Sequence, residues 1–381
     1  MVNDTQDDMI VFVGSGTHRN DDYPNPSHGG SSQIMAMARE TVSRGNKVGI
    51  IKRGHSNDTT EQGNINFINI YIPLPDKGPL SIINKLVFSL AAALRLRAYD
   101  VDKIFLRDRF SALFPSMSAS KTVYTLYGIN YFRDYTKWIS QKSIKYRVLG
   151  LISRAIENAV MTMVDKIVTL HDEAKKYLEN EGYSKRKIKT IPLGKEQVSG
   201  RVKRDERSKY LMYAGRLDRN KRPSLILESL RDLKYNHNKI VDLKIAGHGC
   251  QRDKIISKAK QYNIGDQIQF LGWVDNKVLR SKYFPCAWAF VLPSKFDVFP
   301  NVILESMSAG TPVIASETMG ARAIIKDGTT GFIFHSSEEL TNVINRIFED
   351  KELWRRISKR SRKVCQQRYN ISKVTTKYLN I

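Results

Sequence analysis

"SKFDVFPNVILESMSAGTPVIAS", residues 294–316, joins an aromatic loop marked by Pro300 to an amphipathic helical pattern and then to a short β-branched run. It reads as loop, helix and strand, with proline just ahead of the helix start, where its fixed φ is favourable. A helix opening near Asn301 or Val302 presents unpaired N–H groups and a partial positive charge, a ready-made seat for a phosphate. Glu305 falls about one turn in, within reach of a pair of neighbouring hydroxyls such as those of a ribose. Asp297 stands in the loop, placed to face a polyhydroxylated group beyond the phosphate. Each acid also has a plain structural role, Glu305 as a partner of the helix dipole and Asp297 as a turn residue.

Working outward, short apolar runs alternate with longer helical patterns along the whole chain. The first series is 9–16, 47–54, 103–108, 122–128, 166–170 and 187–194; the second is 210–217, 242–249, 268–274, 287–294 and 311–316. Near-continuous hydrophobicity suits parallel strands covered on both faces. Between the series, "KEQVSGRVKRDERSK" (195–209) has the composition of a linker. The expectation is two α/β units of doubly wound type: residues 1–196, residues 197–355, and a basic C-terminal helix, 356–381, packing back across the junction. In such sheets ligands sit outside the C-terminal ends of the strands.

The 381 residues suffice for two domains of ordinary size. Lys plus Arg number 62 against 38 acids, a net charge of +24 that points to anionic partners or to a generally basic composition. Cys250, Cys286 and Cys365 have no short pair spacing, which argues against a disulfide framework or a structural zinc site and for a reducing, cytoplasmic setting. The opening "MVNDTQDDMI" does not read as a signal peptide, and the longest apolar stretch, around residues 86–96, is too short to span a bilayer. The "GSG" at 14–16 lacks the third glycine of a dinucleotide fingerprint, because residue 19 is Arg.

The ordered set "YAGRLDRNK", "IAGHG", "FLGWV", "PSKFDVFPNVILESMSAGTPVIAS" and "DGTTGF" resembles the nucleotide-sugar-binding domain of the family 4 retaining glycosyltransferases, strongly over about residues 210–335 and more loosely before that. The resemblance implies an α/β GT-B fold: two facing Rossmann-like doubly wound domains with an interdomain cleft. It implies a retaining transfer of sugar from a UDP- or GDP-sugar to a hydroxyl of a glycan or lipid-linked acceptor, in cell-surface polysaccharide or glycoconjugate synthesis, with no cofactor and no metal. By the same resemblance Arg216 and Lys221 hold the donor diphosphate, Glu305 the ribose and Asp297 the sugar. Main-chain groups around Phe299, Asn301 and Val302 contact sugar and phosphate, the loop at Trp273 and Val274 lies near the base, and Gly29 and Gly30 form the glycine loop on the far side of the donor phosphates. Asp297, Arg216 and Lys221 are the catalytic candidates.

The chain departs from the family pattern in two places. The first acid of the pair, usually Glu followed by Gly, is Asp297 followed by Val298; and Met319, Arg322 and Ala323 replace the usual second glycine, proline and glutamate. The position after the fourth strand, often histidine in the family, is Tyr127. A retaining transfer proceeds without a histidine base when the leaving phosphate accepts the proton. Tyr127 and His171 are the acceptor-side candidates, each with an ordinary structural alternative. The stretch 131–151 interleaves Tyr131, Phe132, Tyr135, Trp138 and Tyr146 with Lys137, Lys142, Lys145 and Arg147. Such a mixture suits an anionic membrane surface, a core-packed helix with a solvated basic face, or a nucleic-acid backbone; the resemblance places it on the acceptor side and favours lipid. The alternatives carried forward are transfer to DNA or a soluble acceptor, and nucleotide-sugar binding without transfer.

Overall fold

In the computed structural model the described residues are 9–14, 29–74, 80–127, 144–196 and 210–381. The chain divides into two compact units, one of residues 1–194 with 371–381, the other of residues 195–370.

The first unit is built on eight strands: β1 Met9–Val13, β2 Lys47–Arg53, β3 Thr59–Gln62, β4 Ile65–Ile70, β5 Val101–Leu106, β6 Lys121–Leu126, β7 Lys166–Thr169 and β8 Ile188–Thr190. Their order is β3-β4-β2-β1-β5-β6-β7-β8, parallel throughout except for β3. The buried residues fall into two layers, one around Val11, Ile104, Tyr124 and Ile167 and the other around Phe12, Phe105, Val123 and Val168. Consecutive residues of one strand thus feed opposite layers, which is why these strands read as unbroken apolar runs. The β3–β4 hairpin turns at Gly63 and Asn64, both with positive φ (52° and 63°), as a two-residue hairpin loop requires.

The second unit carries β9 Tyr210–Ala214, β10 Asp242–Ala246, β11 Ile268–Gly272, β12 Ala289–Leu292, β13 Val313–Ser316 and β14 Phe332–Phe334, in the order β11-β10-β9-β12-β13-β14 and parallel throughout. Counted along the chain this is the order 3-2-1-4-5-6, in which the direction of winding reverses between the first strand and the fourth. The helices Ser224–Asn236, Ser337–Glu349 and Lys351–Arg368 supply Leu230, Ile344 and Ile357 to the core around Leu243, Val291 and Ile314.

The unit boundary falls between Gly194 and Lys195, and the basic segment 356–381 does not act as one element. Helix Lys351–Arg368 stays with the second unit: Trp354 stacks on Trp288 (centroids 4.9 Å apart), and the Cys365 thiol donates to the Leu304 carbonyl at 3.5 Å. After Tyr369 and Asn370 the chain starts a separate helix, Ile371–Leu379, that belongs to the first unit. There the buried Lys103 ammonium donates to the Leu379 carbonyl (2.6 Å), Tyr378 packs edge-on against Phe105 (5.7 Å), and Arg44 donates to Ser372 and Thr376. At the break the Tyr369 carbonyl accepts the Lys195 N–H at 2.7 Å.

Candidate functional site

In the second sheet β9 pairs with β12, so the loops leaving their C-terminal ends, 215–222 and 293–300, emerge side by side at the point where winding reverses. Asp218 shapes the first loop: its carboxylate accepts the N–H groups of Asn220 (3.0 Å) and Lys221 (2.8 Å), a turn closed by a short acidic side chain. Asn220 then ties the loops together. Its amide donates to the Phe296 carbonyl (3.0 Å), and its own carbonyl accepts the Lys295 N–H (2.7 Å). Lys221 and Asp297 are thereby brought into an ion pair, with side chains only 18% and 16% exposed. Arg216 extends from the same loop with its side chain 75% exposed, paired with Asp218 at 3.1 Å. Of the two cations read from the sequence, Lys221 is recessed beside the acid and Arg216 stands in solvent.

Asn301 and Val302 open helix Asn301–Ser308, whose cap residue is Pro300 and whose first turn has no side-chain cap and no acid. A first turn without a side-chain cap or an acid suits an anion. Phe299 is buried against the ring of Tyr369 (6.3 Å). Glu305 lies deep, 4% exposed, and its Oε1 accepts from the Lys195 ammonium at 2.8 Å. An unpaired carboxylate at such a depth would cost several kcal/mol; the lysine offsets this.

A second cluster of loops follows β10 and β11. Gly247 and Gly249 have φ of +139° and +156°, and a Cβ on either would lie 1.9 Å from the Gly215 oxygen or 2.3 Å from the Leu217 oxygen. Only glycine admits such backbone-to-backbone approach. His248 between them accepts the Trp273 N–H on Nε2 at 2.9 Å, which requires the neutral tautomer with the proton on Nδ1. Trp273 itself is 57% exposed, next to half-buried Val274. Behind the Asp297 loop, Gly320 donates its N–H to the Asp297 carbonyl at 3.0 Å.

In the first unit Gly29 and Gly30 form the first residues of helix Gly29–Val42. Tyr127 follows β6, with the Arg107 guanidinium over its ring at 4.4 Å; burial raises its phenol. Arg107 and Tyr127 line a recess with Phe12, Gln33, Met37 and Tyr378, at the C-terminal ends of β1, β5 and β6. His171 is the cap of helix Asp172–Asn180: buried, it accepts the Ala174 N–H on Nδ1 at 3.1 Å. That is the structural alternative read for this residue. Residues 131–143 of the aromatic and basic stretch lie outside the described residues.

Sequence reading did not single out Lys195, Asp218, Asn220, His248 or Gly320. Asp218 and Asn220 carry a local turn signal within "LDRNK", whereas the partners of Lys195, His248 and Gly320 are distant in sequence and leave no short-range pattern.

The whole chain is similar to sucrose-phosphate synthase of Thermosynechococcus elongatus, with a TM-score of 0.79 over 98% of both chains at 19% identity. It is also similar to Anabaena HepE, solved in complex with UDP and glucose, with a TM-score of 0.71 over 98% of both chains at 15% identity. The fold is that of the GT-B glycosyltransferases. Residues 194–364 match the family described as Glycosyl transferases group 1. An uncharacterized glycosyltransferase of Methanocaldococcus jannaschii is 27% identical over 175 residues, 45% of this chain and 44% of its own. The chain thus spans less than half the length of that curated relative.

Proposed function

We propose that the protein is a retaining glycosyltransferase that moves a sugar from a UDP- or GDP-sugar to a hydroxyl of a glycan or lipid-linked acceptor in cell-surface polysaccharide or glycoconjugate synthesis. The observation that carries the reading is the convergence of Lys221, Asp297 and the uncapped start of helix Asn301–Ser308 at the crossover of the second sheet. In this reading the diphosphate lies on the helix start and Lys221, with Arg216 closing on it from solvent. Glu305 accepts from the ribose hydroxyls, and Trp273 and Val274 face the base. The bond from the anomeric carbon to the diphosphate oxygen breaks and a bond to the acceptor oxygen forms on the same face. The acceptor proton passes to the departing diphosphate, so no metal, cofactor or histidine base is assigned. UDP in the HepE structure supports a uridine nucleotide as the first donor to try.

Thermal unfolding of the purified protein with UDP-, GDP- and ADP-sugars tests the donor class. A ligand at 100 times its Kd stabilises by about 2.7 kcal/mol, a shift of a few degrees that Glu305→Ala is expected to remove. If no nucleotide sugar shifts the transition, the donor assignment fails. The anomeric configuration of the product, read by NMR, checks retention.

The proposed acceptor side faces an anionic membrane surface from the cytoplasmic side. Helix Leu80–Leu96 exposes Ile83, Val87, Leu90 and Leu94, all on one face, and helix Ile144–Met163 exposes Val148, Leu151 and Ile152. These two helices carry five cations, Lys85, Arg95, Lys145, Arg147 and Arg154, against one acid, Glu157, which is buried. An apolar stripe on helices of this basic sequence suits an anionic lipid surface better than water. None of the described helices is long and apolar enough to cross a bilayer. Co-sedimentation with vesicles containing phosphatidylglycerol is expected, and Leu90→Glu with Leu94→Glu is expected to weaken it at least tenfold. Equal pelleting of this variant and the wild type would remove this surface from the reading.

A further inference from the structure

We propose that Lys195 is a positioning residue for the nucleotide: its ammonium keeps the recessed Glu305 carboxylate ionised and aimed, so that the carboxylate accepts from the hydroxyl pair of a ribose. The inference rests on the reading of Glu305 as the ribose acid and adds a residue to it that lies 110 positions away in sequence.

The argument starts from burial. The side chains of Lys195 and Glu305 are 8% and 5% exposed, and their polar ends meet at 2.8 Å. At this depth a carboxylate without a counter-charge takes up a proton. A carboxylic acid is a weaker acceptor than a carboxylate, and charge-assisted hydrogen bonds are about twice as strong as neutral ones. A carboxylate meant to accept hydrogen bonds from two hydroxyls therefore needs a fixed cation behind it.

Lys195 is fixed. Its N–H donates to the Tyr369 carbonyl at 2.7 Å, and it bridges to Asn370 in strand-like pairing. The base of the side chain is thus pinned where the chain enters the second unit, and the ammonium has one short reach to make. Helix Lys351–Arg368 packs on the same helix as Glu305 and contributes one titratable group here, Cys365. Burial pushes that thiol up to about 12, with Lys195 opposing, so it is neutral at physiological pH and leaves the lysine charge to the glutamate. The pair is held from both sides: Lys195 by main-chain bonds, Glu305 by its helix, whose Ile303, Leu304 and Met307 are fully buried.

The test is UDP binding by calorimetry between pH 6 and 9 for the wild type, Lys195→Met, Lys195→Arg, Glu305→Gln and the Lys195→Met/Glu305→Gln double variant. Wild type and Lys195→Arg are expected to bind with little pH dependence. Lys195→Met is expected to bind at least tenfold more weakly at pH 6.5 and to recover as pH rises, because its unpaired carboxyl ionises only there. Glu305→Gln should be weak at every pH, and the double variant no weaker than Glu305→Gln. The double variant buries no lone charge, so it keeps the test open even if Lys195→Met alone folds poorly. A weak, pH-independent Lys195→Met whose loss adds to that of Glu305→Gln would mean a structural role only. Tighter binding by Lys195→Met would mean that the lysine competes with the ribose. Either result overturns the proposal while a weak Glu305→Gln leaves the ribose reading standing; Glu305→Gln binding like wild type overturns both.

Discussion

Gly320→Ala is expected to reduce sugar transfer by about two orders of magnitude and to destabilise the second unit by about 1–3 kcal/mol. A Cβ at this position would sit 2.6 Å from Pro300 Cδ and 2.6 Å from both the carbonyl carbon and oxygen of Val298. None of these atoms is the free end of a side chain, so the contact opens only by moving backbone. The displaced segment is the one that matters: Val298 follows Asp297, Pro300 caps the helix proposed to seat the diphosphate, and the Gly320 N–H holds the Asp297 carbonyl. Overpacking of this size costs about 1–3 kcal/mol, and misplacing reacting groups by roughly 1 Å can cost about 10²-fold in rate. Denaturant midpoints and initial rates measure the two effects. Gly265→Ala, with nothing within 4 Å of its added Cβ, is the control and should be near neutral. A Gly320→Ala enzyme with wild-type rate would show that the Asp297 loop tolerates this shift and does not set the chemistry.

What could be read in advance followed from how local each signal is. The core strands of both sheets are apolar on both faces, so β1, β2, β5 to β8 and β9 to β13 stood out as runs, with every end but that of β13 placed a residue or more too far along. The β3–β4 hairpin did not. β3 is exposed along its whole length, and β4 reads "INFINI", where Asn66 and Asn69 break the apolar pattern of an edge region. Its one sharp mark, Gly63 with Asn64, was there to be used. The same contrast holds at the site. Helix start, Glu305 and Asp297 lie within one continuous stretch and could be read together, but their partners Lys221, Lys195 and Gly320 arrive from three other segments, two loops and the start of helix Met319–Ile324. Such pairings are fixed by the 3-2-1-4-5-6 winding, which brings loop 215–222 to loop 293–300, and winding is a property of the whole sheet. At His171 the local signal is the pair of acids Asp172 and Glu173, which favour the first turn of a helix, and His171 caps that helix.

Asp297→Asn is expected to lower transfer by about 10²- to 10³-fold while UDP affinity changes little, and Lys221→Met is expected to weaken UDP binding by about 10- to 100-fold. The two residues form one ion pair, mostly shielded from solvent, yet the proposed donor divides them. The diphosphate is the stronger anion and draws the ammonium, which can make charge-assisted bonds worth about 1.5–3 kcal/mol each. The carboxylate is then left beside the sugar, where positive charge develops as the bond to the leaving oxygen breaks; fixed charges and dipoles aimed at such a centre are worth about 10²–10³ in rate. Asparagine keeps the shape and a hydrogen-bonding oxygen but not the charge, so it separates electrostatic work from positioning. Steady-state rates with an accepted donor sugar, set against calorimetric UDP binding, give the split. Equal losses of rate and UDP affinity in Asp297→Asn would place the acid among the nucleotide contacts instead. If instead Lys221→Met leaves UDP affinity intact, the diphosphate must be held by Arg216 and the helix start, and the lysine serves to orient Asp297.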